Sequence, residues 1–343
     1  MKFALCFGNR GFFPEVLVEQ ARNEIKQVVE SLGYETLILP DGLTKYGAVE
    51  SVEDGIVYAN FLKENDYDGV ILSLPNFGDE NGAISALEDA GVPILVQAYP
   101  DEIGKMDFAQ RRDAYCGKLS VMDVFYQHDL PYTTFSHVMN PNADAFKQEL
   151  ADFAAVCSIV NNMKRINVGA IGARTTAFKT IRFDELALQK RGINTETIDL
   201  SEVFYRMDKI EDSAEPVIKK RNRLAGYTNC CAVPDDKLTK IAKLGVVLDE
   251  IIEEYNLDCM ALRCWSELEM HIGIAPCVLL SELNDRGFAT ACELDVCNAI
   301  AMYALSLASN APATCLDWNN NYGEDTDKCI LFHCGPVPAS LMV

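Results

Sequence analysis

The sequence has few histidines and tryptophans, no long apolar run and no excess of positive charge. Four histidines and two tryptophans occur in 343 residues, and 30 lysines and arginines stand against 51 acidic side chains, a formal net charge of −21. This balance argues against a nucleic-acid partner, because phosphate contacts need clustered basic residues. No run approaches the roughly 18 apolar residues of a membrane span. We therefore expect no membrane partner and, without a secretory signal at the N-terminus, a cytoplasmic protein.

Several local motifs are also missing. The sequence contains no C-x-x-C pair, no G-x-G-x-x-G, no phosphate-binding P-loop and no G-x-S-x-G turn, which argues against redox, nucleotide-dependent and serine-hydrolase functions. The 13 cysteines show no zinc-knuckle spacing. We expect them to be reduced, buried small side chains.

Strand-like and helix-like segments alternate along the chain, which is typical of parallel sheets covered by helices. The pattern predicts strands at 2–7, 35–39, 69–74, 93–98, 166–171, 195–199, 259–263 and 328–332. It predicts helices at 15–32, 51–64, 84–90, 144–163, 183–190, 237–255 and 296–308, with loops at 222–236 and 319–325. The predicted fold class is α/β, with two doubly wound parallel-sheet (Rossmann-like) domains at 1–164 and 165–288. Residues 289–343 are predicted to begin a third, C-terminal domain that carries part of the site.

Acidic side chains and one histidine follow apolar stretches of the second half. Glu267 and Glu269 come after the strand at 259–263, Glu293 and Asp295 open a helix, and His333 follows another strand. Because ligands of α/β sheets bind at the carboxyl ends of the strands, these groups predict a site rich in oxygen with one nitrogen. Such a site suits Mn²⁺ or Mg²⁺ better than a thiolate-bound zinc. The alternative is that Glu293 only caps its helix and Glu267 is solvated.

Several segments together carry a resemblance to a known family. They are 9–14, 115–117, 169–174, Arg263-Cys264-Trp265-Ser266-Glu267, 273–277, 281–287, Ala291-Cys292-Glu293-Leu294-Asp295-Val296 and Asp317-Trp318. Over most of its length the chain resembles the L-fucose isomerase and L-arabinose isomerase superfamily, most specifically between Glu267 and Asp295. The family's C-terminal β-rich domain is expected to continue past residue 343, so we expect either a fragment or an incomplete site.

This resemblance implies a metal-dependent intramolecular oxidoreductase that interconverts an aldose and a ketose through an enediolate. It implies Mn²⁺, or Mg²⁺ or Co²⁺, held by Glu267, Asp295 and His333, with Glu267 and Asp295 also catalytic. Glu269 is the alternative to Glu267, since one sequence leaves the register open. The other function left open is a non-catalytic cytosolic sugar-binding or regulatory protein on the same scaffold.

The resemblance also implies a small-molecule sugar substrate and a homo-oligomer, a trimer or hexamer. The predicted substrate-binding residues are Arg10, Arg263, Trp265 and Asp317. Arg263 and Asp317 have ordinary alternatives in a surface ion pair or a turn cap. Trp265 has the alternative of a buried core position. Which sugar is bound, whether fucose, arabinose or a less common deoxy or sulfonated sugar, stays open.

Overall fold

This computed structural model describes residues 1–14, 16–135 and 137–342. The chain divides into two compact units, Met1–Asn161 and Asn162–Val343. The division falls close to the predicted boundary between 164 and 165. The segment 289–343, predicted to begin a third domain, lies within the second unit, because its first strand, Thr290–Cys292, pairs with Cys259–Leu262 of the second sheet.

The first unit contains a parallel sheet with strand order β2-β1-β3-β4-β5. Its strands are β1 (Lys2–Phe7), β2 (Glu35–Ile38), β3 (Gly69–Leu74), β4 (Ile94–Ala98) and β5 (Thr133–Thr134). Its helices are α1 (Val16–Ser31), α2 (Val52–Lys63), α3 (Glu80–Leu87), α4 (Ala114–Gln127) and α5 (Asp144–Asn162). Every residue of β3 is buried, as expected for a parallel strand with helices on both faces.

Most predicted elements of the first unit are confirmed, and β1 and β3 have the predicted bounds. Glu15, the predicted first residue of α1, lies outside the described residues. Helix α3 begins at Glu80 rather than at residue 84, because the side chain of Asp79 accepts a hydrogen bond from the Gly82 amide at 2.8 Å and caps the helix. Helix α4 and strand β5 were not predicted.

The second unit contains a parallel sheet with strand order β7-β6-β8-β9 and a separate antiparallel pair, β10-β11. Its strands are β6 (Ile166–Ile171), β7 (Ile193–Ile198), β8 (Cys259–Leu262), β9 (Thr290–Cys292), β10 (Asp317–Tyr322) and β11 (Asp325–Phe332). Its helices are α6 (Glu185–Gln189), α7 (Leu200–Lys209), α8 (Glu215–Tyr227), α9 (Asp235–Glu254), α10 (Cys277–Asp285) and α11 (Val296–Ser309). In each parallel sheet the first strand in the chain, β1 or β6, lies between two neighbouring strands and not at an edge. This strand order confirms the doubly wound α/β class.

Two predicted loops of this unit are shorter than predicted, 228–234 and 323–324. Residues 222–236 are helical as far as Tyr227, where α8 ends. Residues 319–325 contain most of β10, a strand whose residues are all exposed. Its asparagines are poor strand formers, and backbone pairing with β11 rather than side-chain burial forms the hairpin.

Within the described ranges, the structure contains no helix with both the length and the apolar character needed to cross a bilayer.

Candidate functional site

The carboxyl ends of β6, β8 and β9 lie side by side, because these strands are parallel neighbours in the second sheet. Gly172, directly after β6, has a φ of +100°, and a Cβ there would lie 2.8 Å from the Cβ of Arg263. Only glycine tolerates both the backbone conformation and this close approach. The loop after β6 is therefore in contact with the loop after β8.

The loop after β8 is organised by an ion pair. The Nε of Arg263 lies 2.6 Å from Oε2 of Glu267, and it also donates to the carbonyl of Trp265 at 3.1 Å. The same Glu267 oxygen accepts a hydrogen bond from the Ser266 amide at 3.1 Å. Arg263 is largely buried, with 17% of its side chain exposed, against 39% for Glu267. The ion-pair alternative for Arg263 is thus present in the structure, and Glu267 is paired rather than simply solvated.

Trp265 forms an aromatic surface beside this ion pair. Its ring stacks on that of Phe178 with centroids 5.2 Å apart and an interplanar angle of 27°. The hydroxyl of Thr175 donates to the Trp265 carbonyl at 3.1 Å, which ties the two loops together. Trp265 is 46% exposed, so the core alternative is wrong and one face of the ring is open to a ligand.

Three potential ligand side chains meet where β9 ends. One ligand atom from each of Cys292, Glu293 and His333 lies within 4.8 Å of the other two. Nδ1 of His333 is 2.9 Å from the carbonyl of Cys315. Because a carbonyl only accepts hydrogen bonds, Nδ1 is the donor of this contact, and Nε2 is the ring nitrogen left to face the cluster. This arrangement is typical of a histidine positioned to bind a cation through Nε2.

The charges of two other carboxylates affect the pKa of Glu293. Burial raises the pKa of the Glu293 carboxyl; the charge of His333 opposes the rise, and the nearby charges of Asp317 and Asp295 add to it. A divalent cation would relieve the repulsion among these carboxylates. The Glu293 carboxylate and the His333 imidazole are donors that suit the divalent cation predicted from the sequence, and the Cys292 sulfur is a third potential donor beside them.

Asp295 has a structural role as well. It is the N-cap of α11, where Oδ1 accepts the Asn298 amide at 3.0 Å and Oδ2 accepts the Asn298 side-chain amide at 2.6 Å. The capping role considered for Glu293 thus belongs to Asp295. A carboxylate oxygen has several lone pairs, so these contacts leave Asp295 able to bind a cation.

Backbone strain and thiol contacts link the loops after β8 and β9. Glu293 and Leu294 both have left-handed φ angles, 62° and 65°. The Glu293 amide donates to the sulfur of Cys264, and the Leu294 amide donates to the Leu262 carbonyl at 3.3 Å. Non-glycine residues in this conformation persist only where their surroundings hold them, and such residues cluster at functional sites.

The cysteines differ from the expectation of buried small side chains. All are free thiols; Cys6, Cys157, Cys259, Cys264 and Cys292 are buried, whereas Cys116, Cys231, Cys297 and Cys334 are exposed. Cys264 and Cys292 are hydrogen-bonding neighbours. Spacing in the sequence could not show this contact, because the two residues follow different strands.

Arg10 belongs to the first unit. Its guanidinium pairs with Glu80, donates to the Gly78 carbonyl at 2.7 Å and lies 4.3 Å from the ring centroid of Phe77. The neighbouring Asn9 is fully buried. These residues lie at the carboxyl ends of β1 and β3, where a sheet of this topology binds its ligands.

The structure thus brings some of the predicted site residues together. The pKa of Glu293 is affected by the charges of Asp295, Asp317 and His333. The loop after β8 contains Arg263, Trp265 and Glu267, which contact one another. Glu269, the alternative to Glu267, is exposed beyond that loop. The predicted ligand set omits two members of the observed cluster. They are Cys292 and Glu293.

Cys292 was missed, and Glu293 was named near the site but not among the ligands, because adjacent residues of an extended strand point to opposite faces. The left-handed turn at Glu293 removes that alternation, and no sequence pattern of non-glycine residues signals such a turn.

Comparison with known proteins finds sugar isomerases. Residues 4–164 match the family model described as the N-terminal domain of fucose/sulfoquinovose isomerase. A sulfoquinovose isomerase of Priestia aryabhattai is 25% identical over 312 residues, which cover 89% of this chain and 66% of the relative. The first unit thus matches the N-terminal domain of this family, and the chain as a whole is similar to sulfoquinovose isomerases.

Other relatives are similar at the same level. A sulfoquinovose isomerase of Alkalicoccus urumqiensis is 25% identical over 278 residues, 80% of this chain and 61% of the relative. One of Clostridium sp. (strain MSTE9) is 23% identical over 211 residues, 60% of this chain and 46% of the relative. The chain thus spans between 46% and 66% of the length of these relatives.

Proposed function

We propose that the chain is the cation-binding and substrate-binding part of a metal-dependent aldose–ketose isomerase that works through an enediolate. The observation that carries this proposal is the cluster of Glu293, His333 and Cys292, with Asp295 and Asp317 acting on Glu293. The similarity to proteins named sulfoquinovose isomerase supports the same reaction class.

The residues proposed to hold the cation are His333 through Nε2, Glu293 and Asp295. The cation proposed is Mn²⁺, with Mg²⁺ or Co²⁺ as alternatives, because carboxylates and an imidazole suit these ions. A bound divalent cation supplies Lewis-acid polarisation of a carbonyl oxygen. Cys315 positions the imidazole through its carbonyl, and Asn298 positions the Asp295 carboxylate.

Glu267 is the proposed acid–base. Its carboxylate takes the proton from C2 of the aldose and returns it to C1, while the hydroxyl proton on O2 passes to O1, so atoms balance and no external oxidant is needed. Arg263 fixes the position of this carboxylate by the ion pair at 2.6 Å. The sequence also predicts Glu267 as a cation ligand, which the Glu267→Gln variant described in the Discussion tests.

The proposed substrate is a sugar that contacts the exposed face of Trp265. Sugar rings present apolar C–H faces that pack on aromatic rings, and Phe178 supports this ring from behind. Arg263 and Asp317 are proposed to bind polar groups of the sugar. Arg10, in the first unit, stays a substrate-binding residue predicted from the sequence alone. The relatives make sulfoquinovose the first sugar to test and fucose the second.

We also propose a cytoplasmic homo-oligomer, a trimer or hexamer, which sedimentation of the purified protein tests directly.

The decisive experiment follows isomerisation by NMR. The protein is stripped with a chelator, reloaded with Mn²⁺ and given sulfoquinovose, fucose or arabinose. Ketose should form only in the reloaded sample. The double variant Glu267→Gln, Asp295→Asn should lose turnover together with Mn²⁺ binding. Sugar binding that is indifferent to chelator and never yields ketose would contradict the proposal and favour a sugar-binding protein.

A further inference from the structure

The Cys292 thiol occupies a ligand position of the cluster. Its Sγ lies 3.1 Å from Nε2 of His333. Since Nδ1 of His333 donates to the Cys315 carbonyl, Nε2 is the acceptor and the thiol is the donor of this contact. The sulfur therefore faces the same electron pair that would bind a cation.

The spacing of the three donors suits one small ion. The ligand atoms of Cys292, Glu293 and His333 lie within 4.8 Å of one another. Zn–S, Zn–N and Zn–O bonds of about 2.0–2.3 Å separate tetrahedral ligands by roughly 3.5 Å. A modest inward movement of the side chains is enough to place all three on one cation.

The protein holds this sulfur in place from several sides. Cys292 is the last residue of β9 and is buried, and its sulfur contacts that of Cys264. The Asp295 amide donates to the Cys292 carbonyl at 3.1 Å, which closes the left-handed turn through Glu293. The thiol is thus a fixed part of the cluster and not a mobile surface group.

A sulfur donor changes which metals the site prefers. Thiolate ligands favour zinc and other thiophilic ions, whereas Mn²⁺ and Mg²⁺ favour oxygen. Three protein ligands with one position left open is the arrangement of zinc sites that keep a water or substrate.

We propose that Cys292, Glu293 and His333 bind Zn²⁺ with Cys292 as a direct thiolate ligand. This inference rests on the cation site of the proposed function, and it adds that Zn²⁺ competes there with the hard cation used in catalysis. As the sulfur–metal bond forms, the Cys292 S–H bond breaks and its proton is released to solvent. The contact from the thiol to Nε2 is replaced by a nitrogen–metal bond.

Cobalt provides a direct readout of the sulfur ligand, because Co²⁺ takes Zn²⁺ sites and a thiolate–Co²⁺ bond absorbs in the near ultraviolet. The metal-free full chain is titrated with Co²⁺ and then with Zn²⁺. The wild type should develop the thiolate band and lose it to Zn²⁺. Cys292→Ser should lack the band and bind Zn²⁺ at least tenfold more weakly. Cys231→Ser, which removes an exposed thiol of the same unit, is the matched control and should behave as wild type.

X-ray absorption at the zinc edge of the wild-type protein gives a second measurement that needs no variant. It should show one sulfur at about 2.3 Å. A zinc shell without sulfur, or a cobalt band that persists in Cys292→Ser, would overturn the inference.

These readouts are independent of the isomerase assay. Mn²⁺-dependent ketose formation without any sulfur signal overturns only the zinc proposal. A sulfur signal without turnover on any sugar overturns only the isomerase proposal.

Discussion

Asp295 combines two roles that a pair of substitutions can separate. As the N-cap of α11 it accepts the Asn298 amide, and we propose that it also binds the catalytic cation. Asparagine caps a helix about as well as aspartate, whereas alanine does not. Asp295→Asn therefore keeps the cap and loses the charged ligand, and Asp295→Ala loses both.

The expected magnitudes differ for the two properties. Loss of the cap in Asp295→Ala costs about 1 kcal/mol, which lowers Tm by roughly 2–4 °C for a unit of this size. Asp295→Asn should stay close to the wild type, because the lost charge at the helix start is offset by less repulsion on Glu293. Both variants should bind Mn²⁺ at least tenfold more weakly, since even the partners of metal ligands contribute that much.

Calorimetry measures both effects, as Mn²⁺ titration of the metal-free protein and as thermal unfolding in chelator. Asp199→Ala is the matched control, because Asp199 caps α7 by accepting the Ser201 amide at 2.7 Å. It should lower stability and leave Mn²⁺ affinity unchanged. Wild-type Mn²⁺ affinity in Asp295→Asn would refute the ligand role and leave Asp295 as a helix cap alone.

Three further predictions concern the loops and the packing of the second unit. Glu267→Gln should reduce turnover by about 10²–10⁴ in the NMR assay and leave Mn²⁺ affinity nearly unchanged; a large loss of affinity would instead make Glu267 a ligand. Gly172→Ala should destabilise the unit by about 1–3 kcal/mol in denaturant unfolding, because its φ is +100° and the new Cβ meets Arg263, and an unchanged midpoint would contradict this. Tyr227→Phe should cost about 1 kcal/mol, because it removes the hydroxyl that donates to Asp285 at 2.5 Å. Burial raises the pKa of Asp285, but hydrogen bonds including this one bring it below its usual value, so its stabilisation is present above the unfolded pKa and lost as pH falls through the folded pKa. The loss between about pH 5 and 2 should therefore be smaller in Tyr227→Phe, and an equal loss would show that the bond does not set that pKa.

The elements that periodicity specifies strongly were predictable. Strands β1 and β3 are continuous apolar runs bounded by turn residues, and both have the predicted bounds. The exposed strand β10 was predicted as a loop, because its asparagines pair through the backbone and bury nothing. Helices α4 and α7 were missed altogether. Local pattern therefore predicted the α/β class and the order of most elements, but not the elements that tertiary contacts create.

The same distinction applies to the candidate site: some of its features follow from the sequence, and others only from the tertiary structure. The residue types and their positions after strands predicted that acidic side chains and His333 lie near one another, and the resemblance indicated a sugar isomerase. The structure places Glu293 and His333 in one cluster, and the cation stays a prediction. Only the tertiary structure shows that Glu293 and Cys292 reach His333 together, because the left-handed backbone at Glu293 cancels the alternation of the strand. It alone shows that the Cys315 carbonyl orients the imidazole of His333, since that contact joins residues 18 apart. A sequence determines which chemical groups are available, and the conformation of a few non-repetitive residues decides which of them meet.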